Sequence, residues 1–321
     1  MHVSAKGVAL GVVSFFELLL GSGFLDLFLR KFLSLPASIY SKSMFANIVE
    51  YSCRTVPPHV WCVVAFLLFL FEATQVLAET SDAEKAYDDG NYLKALELWL
   101  PLAEDGDISA QYNVATLYRM GRGVPANLVA AVGWYRSAAE QGHARSQVNL
   151  GRLYLEGRGV KRDVFQALAW FQKAADSDDS LGHYFLGRQY VRGVGVPQNY
   201  GQAASFFRRS AEQGLRDAAY ELAVLYKRGE GIGRDDGEAI KWFSAAAYAG
   251  HVDAQFSMGV IYEEGQGVPV DLGRAYFWYN VAAASGHVTS ESNRYRLAPE
   301  LTVEQLSEVR RGLREWRDRI P

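Results

Sequence analysis

One tyrosine position constrains this chain more than any other feature. Tyr118, Tyr154, Tyr190, Tyr226 and Tyr262 stand 36 residues apart, and the register never slips across the five copies. Three residues after each comes a glycine (Gly121, Gly157, Gly193, Gly229, Gly265), and two further on a second (Gly123, Gly159, Gly195, Gly231, Gly267). Val124, Val160, Val196, Ile232 and Val268 follow at once. A fixed internal period decides the architecture before any local pattern does. One such unit cannot bury its apolar face alone and must stack on its neighbours.

Each position has a physical role. The segment "AQYNVATLYRM" before the first loop places Ala110, Val114, Leu117 and Tyr118 on one face of a helix. The first glycine ends that helix in a left-handed residue, the second lets the chain turn back, and the Val or Ile pegs the loop to the core. Asn127, Asp163, Asn199, Asp235 and Asp271 are short polar acceptors, as the N-cap of a second helix requires. That helix carries a small residue for close packing (Ala131, Ala167, Ala203, Ala239, Ala275) and an aromatic pair such as Trp134-Tyr135 or Trp170-Phe171. It ends at Gly142, Asp178, Gly214, Gly250 or Gly286, where Asp178 is the departure and Asp tolerates the left-handed region. The pattern predicts an all-α array of stacked helical hairpins. A glycine-rich loop such as "YLEGRGVKRD" is therefore a helix connector. A phosphate cradle would occur once, after a strand, with G-x-G-x-x-G or a Gly-Lys-Ser/Thr ending.

The array has two different ends. Residues 79–106 form a related hairpin whose turn lacks the Gly-x-Gly-Val insert, residues 107–290 hold the five repeats, and residues 291–321 are expected to be a C-terminal capping helix. In that cap Thr302 and Gln305 make a capping box. Leu306, Val309, Leu313, Trp316 and Ile320 line one apolar stripe opposite a charged face, as the last exposed repeat needs.

Charge and cysteine separate the front of the chain from the rest. The 33 basic and 36 acidic residues nearly balance, which argues against a nucleic-acid partner, and most of them follow residue 78. Both cysteines, Cys53 and Cys62, precede it, so the repeats have neither a disulfide framework nor a thiolate metal site. The run Val60–Phe71 is apolar and too short to span a bilayer with ease. Arg54 and His59 precede it, and Val76–Ala78 follows with the residues a signal peptidase accepts. Residues 44–78, starting at Met44, read as a signal peptide cleaved after Ala78. The alternative is an uncleaved anchor. Residues 1–43 are apolar but carry Glu17 and Asp26, and read as upstream readthrough or an additional membrane segment. Either way Arg30, Lys31, Lys42 and Arg54 stay cytoplasmic and the repeats face outward, in the periplasm, secreted, or anchored at the membrane.

The pattern A-x-x-x-L-G-x-x-Y-x-x-G-x-G-V-x-x-D, followed by an aromatic pair and Ala-Ala, resembles the Sel1-like repeat family, relatives of the tetratricopeptide repeat. The stretch "SQVNLGRLYLEGRGVKRDVFQALAWFQKAADSD" matches it at nearly every position, and residues 79–106 look like a tetratricopeptide unit. The resemblance implies a right-handed α-solenoid that binds proteins or peptides. Exported bacterial members act as periplasmic regulators, assembly adaptors or host-interaction factors. Cysteine-rich members linked to penicillin binding carry paired cysteines that these repeats lack.

The candidate chemistry is sparse. His143, His251 and His287 recur in one register just after the inter-repeat turn, and successive helices hold such positions ~8–10 Å apart or more. One metal ion needs its ligands at ~2 Å, so they read as surface turn residues. "DSDDS" (Asp176–Ser180) lacks the spacing and closing glutamate of a calcium loop and reads as a solvated turn. The five repeat tyrosines read as inter-helix core. No catalytic, metal or cofactor site is predicted. A cell-envelope hydrolase would need a nucleophile–base or carboxylate pair that breaks the repeat, and a membrane-tethered scaffold would need the anchor uncleaved.

One stripe on the first helices is left free by the repeat. It runs through Asn113, Thr116 and Met120, then Asn149, Arg152 and Glu156, then Phe185, Arg188 and Arg192. It continues through Glu221, Val224 and Arg228 to Ser257, Val260 and Glu264. The candidate partner-binding groove is Asn113, Asn149, Arg152, Phe185, Arg188, Arg192, Glu221 and Arg228. Four arginines around Phe185 suit an acidic or carboxylate-ended peptide, while Glu156 and Glu221 offset part of their charge.

Overall fold

The computed structural model describes residues 81–319. The expected extension (1–43) and signal peptide (44–78) lie outside the described residues, as does Ile320. Residues 81–88 are helical and lead into α1 (Tyr92–Glu104). The repeats then supply pairs: α2 (Ile108–Met120) with α3 (Leu128–Glu140), α4 (Ala144–Glu156) with α5 (Val164–Asp176), and α6 (Ser180–Arg192) with α7 (Tyr200–Glu212). Next come α8 (Arg216–Arg228) with α9 (Asp236–Tyr248) and α10 (Val252–Glu264) with α11 (Leu272–Ala284). Each helix packs on the one before and the one after it, which makes the described residues an α-solenoid of stacked hairpins without a strand.

The second helices start where the sequence places them. Asn127, Asp163, Asn199, Asp235 and Asp271 each accept a hydrogen bond from a backbone N–H two or three residues on, a cap typically worth ~1 kcal/mol. Each N-cap also donates its own N–H to the carbonyl of the repeat tyrosine, as Asp163 does to Tyr154 at 3.0 Å. That bond closes the connector. The second loop glycine has a further role: Gly267 lies on the first turn of α9, where an added Cβ would come 2.9 Å from Asp236 Cβ.

Packing rests on a ring set into a glycine. Phe171, Phe207 and Tyr279 are fully buried on the second helices. They lie over Gly151, Gly187 and Gly259 of the paired first helix, and a Cβ on Gly187 would stand 2.7 Å from the Phe207 ring. In the other two repeats Ala115 and Ala223 stand at the same register, both fully buried. Burying one such ring stabilises the fold by ~1.5–3 kcal/mol. The repeat tyrosines only border this core. They are half-buried, and the Tyr154 hydroxyl accepts from Arg136 at 2.7 Å while Tyr226 accepts from Arg208.

Neighbouring repeats are also tied by polar groups. Buried Gln111, Gln147 and Gln255 donate from Nε2 to the carbonyls of Ala103, Ala139 and Ala247, on the helix before, at 3.1, 3.0 and 3.2 Å. In the third repeat His183 takes that register. It is 1% exposed, and its Nε2 lies 3.0 Å from Oδ1 of Asp178, the one non-glycine residue with positive φ (58°) among the described residues. "DSDDS" is thus more than a solvated turn, since Asp179 also caps α6 by accepting from Gly182 N–H at 2.9 Å. The junction between α7 and α8 differs from the rest. Leu215 stands at the N-cap without a side-chain bond, and buried Ala219 occupies the glutamine register.

The histidines are not surface turn residues. Half-buried His143, His251 and His287 are N-caps whose Nδ1 accepts from Ser146, Ala254 and Ser290 N–H at 3.3, 3.3 and 3.1 Å. Their rings lie on Tyr112, Tyr220 and Phe256 of the preceding repeat, with centroids 4.9, 4.3 and 4.5 Å apart. Each ring is both cap and inter-repeat contact.

Residues 291–321 are not one capping helix. His287 starts α12 (Val288–Leu297) in the register of a sixth first helix, and a 3-10 turn at Ala298–Glu300 ends it. Pro299, which has no N–H to donate, falls in that turn. The capping helix proper is α13 (Val303–Arg319), opened by Thr302 and Gln305, which bond each other's backbone N–H at 2.9 and 3.2 Å. It packs back on α11, with Leu313 and Trp316 against the core.

Candidate functional site

The free stripe runs along α2, α4, α6, α8 and α10, because residues three and seven apart share a helical face. Part of it serves the fold. Thr116 bonds the Tyr112 carbonyl at 2.9 Å and the Tyr135 hydroxyl at 3.0 Å. Ser257 donates to Asp253 O at 2.7 Å, and Val224 and Val260 pack on the core. Met120 and Glu264 are exposed.

The structure groups six of the eight candidate groove residues. Phe185 on α6 is half-buried and stacks on Phe171 at 5.0 Å, and the exposed guanidinium of Arg152 on α4 lies 5.7 Å from its ring centre. Arg152 also meets Glu156 at 4.0 Å. One helix on, half-buried Arg188 lies over Tyr184 at 5.5 Å. Glu221 on α8 is half-buried, and its carboxyl is held above the usual carboxylate range by that burial. Arg188, Arg192 and Arg228 act against this shift, Asp217 with it. Glu221 makes no ion pair within 4 Å among the described residues and Arg228 meets Glu230 at 3.9 Å, so the arginines act on this partly desolvated acid from a distance. Asn113 and Asn149 are half-buried on α2 and α4 and share no hydrogen bond with this group among the described residues. The basic floor expected from sequence is accordingly offset by acids, with Glu156 beside Arg152 and Glu230 beside Arg228.

Chemically this surface can accept carboxylates on guanidinium groups and apolar or aromatic side chains beside Phe185. Besides the arginines, the charge neighbours of Glu221 are Asp217, Tyr184 and Tyr220. Among the described residues no group of three or more His, Cys, Asp or Glu side chains is arranged to hold a metal ion.

The two-helix unit, repeated in register and joined face to face, defines a helical repeat solenoid. The Sel1 repeat family profile matches residues 108–143, 144–179, 180–215, 216–251 and 252–287, and the chain belongs to the Sel1 repeat family, a protein-interaction fold. Among solved structures it is similar to a Sel1 repeat protein from Oxalobacter formigenes, with 30% identity, 67% of this chain and 86% of that one covered, and a TM-score of 0.62. It is also similar to c5321, a protective antigen present in uropathogenic Escherichia coli strains that displays an SLR fold, with 29% identity and a TM-score of 0.64. That alignment covers 72% of this chain and 50% of c5321, so the chain spans half the length of that relative. A comparison with curated proteins gave no match.

Proposed function

We propose that this chain is an exported, non-catalytic adaptor that holds an acidic protein or peptide partner on the first-helix face of α4, α6 and α8, in the cell envelope. The observation that carries the reading is the Arg152–Phe185 pair together with Arg188, set over Tyr184 on the same helix as Phe185. These side chains belong to register positions that the repeat does not need. Arg152 and Arg228 are paired with Glu156 and Glu230, whereas Arg188 and Arg192 make no ion pair within 4 Å among the described residues, and a carboxylate of the partner meets these two with bidentate geometry. Solenoids of this class offer extended surfaces of this kind. Export is supported by the apolar run Val60–Phe71 followed by Val76–Ala78.

The double variant Arg188→Glu, Arg192→Glu tests the surface. Capture of the partner from envelope extracts is expected to fall, with the helical circular-dichroism signal unchanged. Unaltered capture removes this face from the mechanism. N-terminal sequencing of the envelope or secreted fraction tests export separately, with Glu79 expected as the first residue.

A further inference from the structure

A cleft of about 750 Å³ lies between the last two repeats and α13, lined by none of the stripe residues just described. Three guanidinium groups line it: Arg216 at the start of α8, Arg294 on α12 and Arg317 on α13. No carboxylate is among its described lining residues. The acids that meet these arginines, Asp217 at 3.7 Å from Arg216 and Glu291 at 3.4 Å from Arg294, have side chains 48% and 55% exposed and are not part of that lining. Trp316 and Leu313 form an apolar wall, with the Trp316 ring 5.5 Å from those of Tyr248 and Trp278. The volume falls in the range of ligand-binding clefts.

Two buried polar atoms on lining residues lack partners: the Nε of Arg294 and the Oε1 of Gln255. Gln255 is 2% exposed, and its Nε2 is already bonded to Ala247 O. One atom is a donor without an acceptor, the other an acceptor without a donor, and such groups are costly when buried. The end of a polypeptide supplies both halves from a single residue. Its terminal carboxylate accepts, its own N–H donates, and its side chain can lie against an apolar wall. An internal Asp or Glu sets its carboxylate farther from its N–H.

We propose that this cleft receives the free carboxyl terminus of a partner polypeptide, with the carboxylate on Arg294 and Arg317, the last N–H toward Gln255 Oε1, and an apolar terminal side chain against Trp316 and Leu313. The site is independent of the first-helix surface.

Three pools of synthetic hexapeptides, passed over the immobilised full chain, test it. The first has randomised final residues and free carboxyl ends, the second is the same pool amidated, and the third is amidated with Asp in the last position. Only the first is expected to be retained, enriched in apolar last residues, and Arg317→Gln or Arg294→Gln should cut retention roughly tenfold or more. Arg317→Gln lies on an exposed position and its circular dichroism should match the parent. The Arg188→Glu, Arg192→Glu variant should retain the first pool unchanged. Retention of no pool, equal retention of the amides or of the Asp-amide pool, or full retention by Arg317→Gln would overturn the proposal.

Discussion

The ring seated on a glycine gives the sharpest test of how the repeats hold together. Replacing Gly187 by Ala adds a Cβ 2.7 Å from two atoms of the fully buried Phe207 ring. Overpacking of this kind costs ~1–3 kcal/mol, while Gly→Ala inside a helix returns ~0.5–1 kcal/mol. The single variant is therefore expected to be destabilised by up to ~2.5 kcal/mol. Phe207→Ala alone should cost ~3–5 kcal/mol. With the ring gone, Gly187→Ala has space and keeps only its helical advantage, so in that background it should stabilise by ~0.5–1 kcal/mol. The sign reverses, and the coupling read from the cycle is ~1–3 kcal/mol. Gly133 on α3 is the control, because an added Cβ there meets nothing within 4 Å, and Gly133→Ala should stabilise outright. Urea denaturation followed by circular dichroism measures all five proteins. If Gly187→Ala stabilised the parent and the Phe207→Ala variant alike, the packing argument would be wrong.

Two further predictions concern titration. Burial lowers the pKa of His143, with Arg145 adding to the shift, and burial lowers that of His251 against the pull of Asp217 and Asp253. The folded state then binds fewer protons than the unfolded one, so stability present above about pH 6.5 is lost as pH falls through the lower folded values. Since Asp107 and Asp179 serve as caps in the same register, His143→Asp with His251→Asp should flatten the denaturation midpoint between about pH 8 and 5; an unchanged slope would refute the assignment. Glu221 titrates the other way. Its raised pKa gives stability fully present below about pH 4.3 and lost as pH rises through the folded value. Glu221→Gln should raise the midpoint at neutral pH, with the gain vanishing in acid, and a lowered midpoint at neutral pH would contradict the desolvation argument.

Much of this architecture was legible because single residues carry it. A left-handed helix end needs glycine and an N-cap needs a short acceptor, so the fivefold recurrence of both placed ten helices without further information. The histidine caps were misread because His is not among the favoured capping residues. The signal lay in the register they share with Asp107 and Asp179. Likewise His183 falls in the register of Gln111, Gln147 and Gln255, which marks it as a joint between repeats. The role of Gly187 was hidden because it depends on which ring crosses that helix. The stripe could be assigned to helices, but the influence of Arg188 and Arg192 on Glu221 joins residues of two repeats and depends on how α6 meets α8. The C-terminal cleft was out of reach for the same reason, its walls coming from six helices.

The junction at Leu215 and Ala219 has consequences for how the array yields under load. Every other seam between repeats carries a side-chain cap or clasp at the start of its first helix, whereas here that end has neither, and the bond from Arg208 to Tyr226 lies farther along. Oily contacts tolerate sliding, so bending and the earliest amide exposure should concentrate at this seam, dividing the molecule into a front and a rear segment. The arginines of α6 and the acid of α8 sit on opposite banks of it. A guest that grips both banks would act as a splint, and stiffness gained at a site it never touches would be its signature.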